Sequence, residues 1–424
     1  MTSPDVVVVG GGVIGAACAF ELARRGARVT VLERERELGL ACSYGNAGLL
    51  GSALGRPLAT PDALRQGMRS VVDRDAPLHV PPRPGLVPWL ARFALACRHQ
   101  RYERALAALG PLASDSFQMH LGYASSGMRV GVTHRGAVLT WESEGTFEAG
   151  VRSLRAAGAE LAELGASQIR ELVPTLAHDV PRAVLDQNIA HCDSRRWTLA
   201  VAEAAVELGA RIKRGMGVRR LLLSGGRVRG IATGDGDVAA GVTVLAAGVW
   251  TDRLLSGTGV RLTLEGGKGY HVDLAPEAGD PRLPVYLQDA HVVATPLEGR
   301  TRLAGTLDLT GLDTRIDQRR ADAVVASVSR SLRGIRNRRP EEVWAGLRPC
   351  TSDGIPAIGA TAAAEGLLIA TGHAMIGLAL APVTGKLIAE LASGAAPSHE
   401  VSALSPDRFR RAHVRRQAEA AARR

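Results

Sequence analysis

Three glycines near the start of the chain have the spacing of a loop that holds a diphosphate. Gly10, Gly12 and Gly15 follow the apolar run Val6–Val9, which predicts a buried parallel strand, and they precede a helical pattern from Ala16 to Arg25. Glycines at these positions allow a tight turn and bring backbone N–H groups at the helix start to a pyrophosphate. The strand–turn–helix context favours a dinucleotide site over a simple glycine-rich turn.

An acidic residue and a glycine-rich loop follow this motif. The next predicted strand, Arg28–Leu32, ends at Glu33, whose carboxylate can accept hydrogen bonds from a ribose diol. This fingerprint does not by itself separate NAD from FAD, but it occurs once, which disfavours a flavoenzyme with a second nicotinamide-binding unit. The small polar loop Ser43–Gly48 would let a flavin ring lie against backbone; an ordinary surface loop is the alternative.

Two side chains far along the chain are candidates for contact with a substrate or cofactor. Arg348 carries a guanidinium, which forms a planar, bidentate pair with a carboxylate; a surface salt bridge is the alternative. His373 lies in the turn Thr371-Gly372-His373, ahead of a predicted helix that runs to about Leu391. A helix start directs N–H groups and a positive dipole end at a bound anionic group, which would place His373 beside that group. A structural role is the alternative for His373, because a lone histidine is more often structural.

The elements that must position these residues follow two alternating patterns. Residues 55–180 are rich in proline and helical patterns and lack a glycine fingerprint, whereas helix and strand patterns typical of a nucleotide domain return at Trp197. The hairpin turn at Gly225-Gly226 and the strand Val242–Ala246 belong to this returning nucleotide-domain pattern. From about Trp344 onward we predict loop, strand, glycine-rich turn and long helix.

Length, cysteine content and charge restrict the class of protein. A chain of 424 residues suits two domains, and its five scattered cysteines, without a Cys-x-x-Cys pair, indicate neither a metal site nor a disulfide framework. The net charge of +10 is concentrated: from Asp407 onward seven arginines oppose two acids, which contributes +5. A solvated basic tail is the simplest interpretation, with attraction to anionic lipid or to nucleic acid as alternatives.

Several motifs, taken in order, resemble the D-amino acid dehydrogenase and glycine/sarcosine oxidase group of FAD-dependent amine oxidoreductases (the DAO-type family). The motifs that carry the resemblance are Val7 to Gly15, Ser43 to Gly48, Asp75 to Leu78, Leu245 to Trp250, Lys268-Gly269-Tyr270, Gly346 to Gly354, Thr371 to Gly377 and Leu404 to Phe409. The resemblance spans nearly the whole chain but is weak in residues 85–190. The covalent flavin cysteine of monomeric sarcosine oxidases would fall near Gly346, so non-covalent FAD is implied.

The resemblance implies an α/β fold with a Rossmann-like FAD-binding domain and a second α+β substrate domain built around a mixed β-sheet. We expect residues 1–55, 190–258 and 340–424 to form the discontinuous FAD-binding domain, and residues 56–189 and 259–339 to form the substrate domain, with a basic helical or disordered tail at 410–424. The expected FAD-binding residues are Gly10, Gly12, Val13, Ile14, Gly15, Glu33, Arg34, Ser43, Asn46, Ala47, Gly48, Ala247, Gly248, Trp250, Gly372, His373 and Gly377.

The implied reaction is oxidation of the CH–NH bond of a small amino acid to the imino acid by hydride transfer to flavin N5. A D-amino acid, including the D-proline or hydroxyproline type, is the expected substrate; sarcosine or glycine is the alternative. Arg348, Tyr270 and His373 are the expected catalytic-site residues, with Arg348 and the Tyr270 hydroxyl on the substrate carboxylate; a packing role is equally open for Tyr270.

Partners and location follow from the same reasoning. The electron acceptor is expected to be oxygen or a quinone, and nucleic acid is not expected because no basic–aromatic interleaving is present. The N-terminus enters a strand pattern without a basic leader, and no stretch of about 18 apolar residues occurs, so a cytoplasmic location is expected. A peripheral position at the inner face of the membrane is the alternative. A flavoprotein that acts only through its basic surface is the distant functional alternative.

Overall fold

A computed structural model describes residues 5–69, 76–177 and 182–409 of the chain. The basic tail that the sequence predicts at 410–424 lies outside these residues, as does Asp75, the first residue of one family-like motif. Within the described ranges, no helix is long and apolar enough to cross a membrane.

The strands, in chain order, are β1 Asp5–Val9, β2 Arg28–Leu32, β3 Leu49–Gly51, β4 Leu78–His79, β5 Thr133–His134, β6 Ala137–Trp141, β7 Leu161–Glu163, β8 Arg182–Asp186, β9 Ile189–His191, β10 Arg211–Lys213, β11 Val218–Ser224, β12 Arg227–Thr233, β13 Gly236–Ala239, β14 Val242–Leu245, β15 Leu264–Leu274, β16 Val285–Leu287, β17 Val292–Leu297, β18 Arg300–Leu309, β19 Pro340–Thr351, β20 Ala357–Ala360 and β21 Leu367–Thr371. The helices are α1 Val13–Arg24, α2 Pro61–Arg69, α3 Val87–Ala96, α4 His99–Ser125, α5 Glu144–Ala156, α6 Ala166–Leu172, α7 Ser194–Glu207, α8 Thr251–Leu254, α9 Gln318–Ser331 and α10 Gly377–Ala392. Short 3₁₀ turns lie at Ser52–Leu54, Pro84–Leu86, Gly248–Trp250, Ile335–Asn337 and Ser402–Leu404.

A six-stranded sheet in the order β10-β2-β1-β14-β21-β20 forms the nucleotide-binding half. Its strands are parallel except for the edge strand β20, which runs antiparallel to β21. The β-branched run of β1 is fully buried because both faces of the sheet are covered. Helices α1, α7 and α10 cover one face, and the antiparallel meander β11-β12-β13 covers the other.

The second half is built on a nine-stranded mixed sheet in the order β19-β15-β18-β17-β16-β6-β8-β7, with β4 paired to β18. Helix α9 packs on one face of this sheet through Val324 and Val328, against Val272 and Leu274 of β15. The opposite face of β15 and β19 is turned toward the loop Ser43–Gly48 of the nucleotide-binding half, since His271 and Trp344 both contact the ring of Tyr44, and a site between the two halves can form there. The expected combination of a Rossmann-like domain and an α+β domain with a mixed sheet is therefore confirmed.

Two elements lie elsewhere than the sequence-based boundaries place them. Residues 340–351, expected in the FAD-binding domain, form β19 and pair along their whole length with β15 of the mixed sheet. The segment that starts at Trp344, predicted from the sequence to begin as a loop, therefore lies in strand β19. Helix α4, expected in the substrate domain, packs against the core of the nucleotide-binding half through Leu109, Leu112 and Phe117.

Candidate active site

The glycine fingerprint forms a turn that only small residues can adopt. Gly10 has φ +106°, and a Cβ at Gly15 would lie 1.8 Å from the carbonyl oxygen of Gly10, so the helix start is packed directly on the turn. The N–H of Gly11 donates to Glu33 Oε2 at 2.6 Å, and the N–H of Glu35 donates to Glu33 Oε1 at 2.9 Å. The predicted ribose-binding carboxylate is thus fixed beside the fingerprint at the carboxyl end of β2.

The N-terminus of α1 is open to an anion. Its cap residue Gly12 supplies no side-chain hydrogen bond, and no acidic residue lies in the first turn, which includes Val13 and Ile14. Ser43 approaches from the flavin loop and accepts a hydrogen bond from the Val13 N–H through Oγ at 2.9 Å. A helix whose first turn carries no acidic residue attracts a phosphate through its remaining free N–H groups and its dipole.

Other predicted cofactor residues lie at the neighbouring strand ends. Arg34, after β2, places its guanidinium 3.7 Å from the ring centre of Trp250, after β14. The hydroxyl of Thr371, at the end of β21, donates to the carbonyl of Gly248 at 2.9 Å, just after Ala247. Because parallel strands present their carboxyl ends at one edge, these residues and the fingerprint line a single crevice.

A buried ion pair holds the loop Ser43–Gly48 on the mixed sheet. Arg302 of β18 is 1% exposed and donates to both carboxylate oxygens of Asp273 at 2.8 Å, while its Nη1 donates to the carbonyl of Tyr44 at 2.8 Å. The Thr295 hydroxyl also donates to the Ala47 carbonyl at 2.8 Å. The loop is therefore positioned by the substrate-side sheet, which the sequence did not reveal.

Within that loop, Asn46 fixes both its own turn and its approach to α10. Its Oδ1 accepts from the Gly48 N–H at 2.8 Å, and its Nδ2 donates to the carbonyl of Met375 at 3.5 Å, two residues before α10 begins at Gly377. Gly48 has φ +84°, and a Cβ there would lie 2.2 Å from the carbonyl oxygen of Cys192. The loop and the start of α10, distant in sequence, are thus adjacent.

Three stacked rings fill the space between the loop and the sheet. The ring of His271 lies 5.3 Å from that of Trp344 at 16° and 5.9 Å from that of Tyr44 at 25°. Burial, with the nearby Arg302 charge, lowers the pKa of His271 to about 4, so the ring is neutral. Possible metal-ligand atoms of His271, Asp273 and Glu342 also lie within 4.8 Å of one another. Asp273, however, already accepts a hydrogen bond from the Arg302 guanidinium, and Glu342 accepts one from the Tyr44 hydroxyl at 2.9 Å.

Arg348 lies on this same face of the mixed sheet. It pairs with Gly267 in the β15–β19 register, and a Cβ at Gly269 would lie 2.2 Å from its Cζ, so the guanidinium is packed flat over Gly269. Its Nη1 donates to the carbonyl of Thr306, and the described part of the chain offers it no ion-pair partner. A half-buried guanidinium with no carboxylate partner is suited to bind one from a ligand.

Tyr270 lies on the opposite face from Arg348. Its side chain is 1% exposed and packs in the core under α9 with Val272 and Leu274. Burial, together with the charge of Asp308, raises the pKa of its hydroxyl to about 12. Since successive residues of a strand point to opposite faces, Tyr270 cannot face the site that Gly269 faces. The prediction that its hydroxyl contacts a substrate carboxylate does not fit this placement.

His373 lies beneath the turn that precedes α10. Its Nε2 lies 3.0 Å from the Thr384 hydroxyl, while its Nδ1 is buried without a partner among the described residues. Burial lowers the pKa of this ring to about 3, so it is neutral. Gly372 before it has φ +80° and Ala374 after it has φ +47°, which turns the backbone sharply into α10.

Two further side chains near Arg348 were not identified from the sequence. Burial raises the pKa of the Cys42 thiol and of the Tyr286 hydroxyl, and in both cases the Arg348 guanidinium opposes that rise. Tyr286 lies in β16, four strands from β19 in the sheet order, and no motif marks it. Only the folded structure brings these positions to Arg348.

The described residues fit FAD. The first turns of α1 and α10 lack acidic residues and cap-residue hydrogen bonds, which leaves N–H groups for a diphosphate at one end and for an electron-rich ring edge at the other. The unpaired Nδ1 of His373 lies beside the second of these helix starts. FAD would thus extend from the fingerprint to the face that carries Arg348.

Comparison with known proteins agrees with this architecture. The family model described as FAD dependent oxidoreductase (DAO) matches residues 5–391. A D-amino-acid oxidase of Bradyrhizobium diazoefficiens is 31% identical over 417 residues, covering 95% of this chain and 98% of its own length. A D-amino acid dehydrogenase of Cereibacter sphaeroides is 31% identical over 423 residues, covering 95% of each.

Solved structures show the same fold over nearly the whole chain. Glycine oxidase from Geobacillus kaustophilus superimposes with a TM-score of 0.73 at 24% identity, covering 96% of this chain and 98% of that one. L-Proline dehydrogenase from P. horikoshii gives a TM-score of 0.73 at 21% identity, covering 97% and 98%. With a family model that matches residues 5–391, relatives 31% identical over 95% of the chain, and a crevice that fits the cofactor, this protein belongs to the DAO family of FAD-dependent oxidoreductases.

Proposed function

We propose that this protein oxidises the CH–NH bond of a small amino acid, with D-amino acids as the preferred class. The observation that carries the proposal is Arg348, a half-buried guanidinium without an ion-pair partner among the described residues, on the face of the mixed sheet turned toward the flavin loop. The names of the relatives, D-amino-acid oxidase and D-amino acid dehydrogenase, support the substrate class.

In this proposal Arg348 binds the substrate carboxylate and fixes the orientation of the Cα–H bond. FAD, when bound, supplies the acceptor for the hydride and carries the redox chemistry. The fingerprint and Glu33 hold the nucleotide end, while the Ser43–Gly48 loop and the turn at His373 hold the ring end. Packing of Trp344 and His271 against the loop excludes water from that side.

The direct test is anaerobic bleaching of the purified yellow protein. A panel of D-amino acids, D-proline, 4-hydroxyprolines, sarcosine and glycine, with L-enantiomers as controls, defines the substrate class. Bleaching by D-amino acids supports the proposal, and bleaching by sarcosine and glycine alone would replace it with the glycine/sarcosine-type reaction. A colourless protein that takes up no added FAD would overturn it.

Replacement of Arg348 by alanine should raise KM strongly and leave the flavin bound. A charge-assisted hydrogen bond is worth about 1.5–3 kcal/mol, which corresponds to a roughly 10- to 150-fold change in KM. Steady-state kinetics and the flavin-to-protein absorbance ratio measure the two effects. Unchanged kinetics would remove Arg348 from the site.

We further propose that the reduced enzyme passes electrons to oxygen or to a quinone, and that the quinone route would place it at a membrane surface. Exposed apolar side chains on α3, Val87 at 60% and Leu95 at 39%, support such a peripheral contact. Stopped-flow reoxidation by oxygen and by a water-soluble quinone analogue separates the two acceptors. Co-sedimentation with anionic and with neutral vesicles tests the membrane contact.

A further inference from the structure

Strand β18 contains a β-bulge opposite Gly269. The register between β15 and β18 shifts there, so that one residue, Gly269, faces two, Thr306 and Leu307. The carbonyl of Thr306 accepts a hydrogen bond from Nη1 of Arg348, whose guanidinium packs over Gly269. Bulges re-aim side chains and are over-represented next to active sites, so this one directs attention to Thr306.

The backbone of Thr306 is held in a conformation that costs free energy. Its φ is +58°, in the left-handed region, where a residue with a branched Cβ is an outlier and glycine fits without penalty. A bulge whose first residue is left-handed ordinarily has glycine at that position. Threonine is less favourable here than glycine would be, which indicates that its side chain has a role other than stabilising the fold.

The hydroxyl of Thr306 has no partner inside the described part of the protein. The residue is only 8% exposed, and no described group forms a hydrogen bond with its Oγ1. Thr263 also has a left-handed backbone, with φ +51°, but its hydroxyl lies 2.7 Å from that of Ser352. Because a buried hydroxyl without a partner is unfavourable, the Thr306 hydroxyl is suited to a hydrogen bond with a ligand.

Covalent geometry keeps this hydroxyl near the guanidinium of Arg348. Four bonds separate Oγ1 from the carbonyl oxygen of Thr306, so the two oxygens lie within about 5 Å of each other. That carbonyl oxygen is the atom to which Arg348 donates. Of the buried, unpartnered threonine hydroxyls among the described residues, only that of Thr306 belongs to a residue that accepts from Arg348; the others are on Thr175, Thr243, Thr251 and Thr310.

We propose that the Thr306 hydroxyl donates a hydrogen bond to the substrate carboxylate and completes the site that Arg348 begins. A carboxylate has about four acceptor sites, so one that binds the guanidinium still has a site for a hydroxyl. Contacts from two strands, β18 and β19, then fix the carboxylate and the direction of the Cα–H bond. This inference rests on the proposed function and deepens it by naming a second residue that positions the substrate.

The test removes the hydroxyl without changing the shape of the side chain, in Thr306→Val. Valine keeps the branched Cβ but cannot donate a hydrogen bond. We expect the dissociation constant of propionate from the oxidised holoenzyme, measured by calorimetric titration, to rise roughly 10- to 150-fold, the range for a hydrogen bond to a charged group. KM for D-alanine should rise in parallel, and Thr306→Ser, which keeps the hydroxyl, should restore most of the affinity.

Urea unfolding of the holoenzyme gives a readout that separates binding from structure. Thr306→Val removes an unpaired hydroxyl and should leave the free energy of unfolding unchanged or raise it. Thr263→Val is the matched control, because it removes a hydroxyl from a second left-handed threonine whose hydroxyl is paired with Ser352. The control should lower the free energy of unfolding and leave propionate binding unchanged. The same pattern in Thr306→Val would show a purely structural role and overturn the proposal.

Isopropylamine, which has a methyl group where D-alanine has its carboxylate, distinguishes the two ends of the substrate. If Thr306→Val weakens binding of isopropylamine and not of propionate, the hydroxyl contacts the substrate nitrogen, and the carboxylate contact is excluded while the proposed function stands. Failure of every amino acid to bleach the flavin would instead remove the proposed function. The propionate titration would then still decide whether the hydroxyl contributes to a carboxylate site.

Discussion

At the scale of single residues, the position of the Arg348 guanidinium depends on a glycine, Gly269, which has no side chain to occupy the same space. Gly269 on the adjacent strand leaves room for the guanidinium, since a Cβ there would lie 2.2 Å from Cζ. The Thr306 carbonyl accepts from Nη1 and sets the direction of the group. The site is therefore shaped as much by Gly269 as by the arginine itself.

Replacement of Gly269 by alanine should move the guanidinium without unfolding the sheet. The atom that the new Cβ meets belongs to the end of a flexible side chain, so the strain can be relieved by rotation of Arg348. We expect KM for the amino acid substrate to rise at least about tenfold, in line with the loss of one charge-assisted contact, and the flavin to remain bound.

The matched control is Gly122→Ala in α4, where the new Cβ meets nothing within 4 Å. Its kinetics should equal those of the wild type. If Gly269→Ala also leaves KM unchanged, the guanidinium does not lie over Gly269 in the working enzyme.

The sequence predicted Arg348 and the fingerprint because their chemistry is tied to short local motifs. The role of Tyr270 stayed open, although the alternation of polar His271 and Asp273 with apolar Val272 and Leu274 is a local signal that places Tyr270 on the core face of β15. A shift of one residue separates Gly269, which faces the site, from Tyr270, which does not. Cys42 and Tyr286 were missed because only tertiary structure brings them to Arg348.

At the scale of elements, the most informative contact is the one between β18 and the flavin loop. The Arg302–Asp273 pair is buried, and Arg302 also donates to the carbonyl of Tyr44. The loop thus depends on a charge pair in a sheet that is distant in sequence. No local pattern in the chain predicts this dependence, whereas the strand–turn–helix unit at the N-terminus is predictable from local spacing alone.

Replacement of Arg302 by methionine should destabilise the protein by about 3–5 kcal/mol, because it leaves a buried carboxylate with less compensation. Arg300 also pairs with Asp273 at 2.9 Å, which places the expected loss at the lower end of this range. Denaturant unfolding measures the free energy, and ultrafiltration measures the FAD released.

Arg315→Met provides the comparison for this prediction, since Arg315 pairs with Asp313 at 2.9 Å but is 89% exposed. A solvent-exposed pair of this kind contributes little to stability, because water and salt screen it. Equal unfolding free energies for the two variants would show that the buried pair does not hold the loop.

At the scale of the whole molecule, three buried neutral histidines connect stability to pH. Burial is the largest cause in each case, and it lowers the pKa of His120 and His271 to about 4 and that of His373 to about 3. In the unfolded chain a histidine has a pKa of about 6.5. Between these values the unfolded chain holds more protons, so the free energy of unfolding must fall as the pH falls below about 6.5.

The contribution of one histidine can be isolated with His120→Gln. His120 lies in α4 with its Nε2 3.0 Å from the Leu378 carbonyl, away from the flavin loop. Each such group adds up to about 1.4 kcal/mol per pH unit to the slope of unfolding free energy against pH. We expect that slope, measured by urea unfolding between pH 6.5 and 4.5, to decrease in the variant.

The exposed His99 supplies the control, because His99→Gln should leave the slope unchanged. An unchanged slope in His120→Gln would show that this ring is protonated in the folded protein or that the region opens before global unfolding.

The packing of α4 also determines how this family member can be recombined with others. The helix is inserted in the sequence among substrate-side elements, yet its Leu109, Leu112 and Phe117 complete the hydrophobic core under α1 and α10, and its Ser116 donates to the Ala379 carbonyl at 2.6 Å. A chimera that exchanges residues 56–189 as one module would import a foreign surface into the dinucleotide half. Transplants of substrate specificity should therefore keep residues 99–125 with their native partner and exchange the segments on either side.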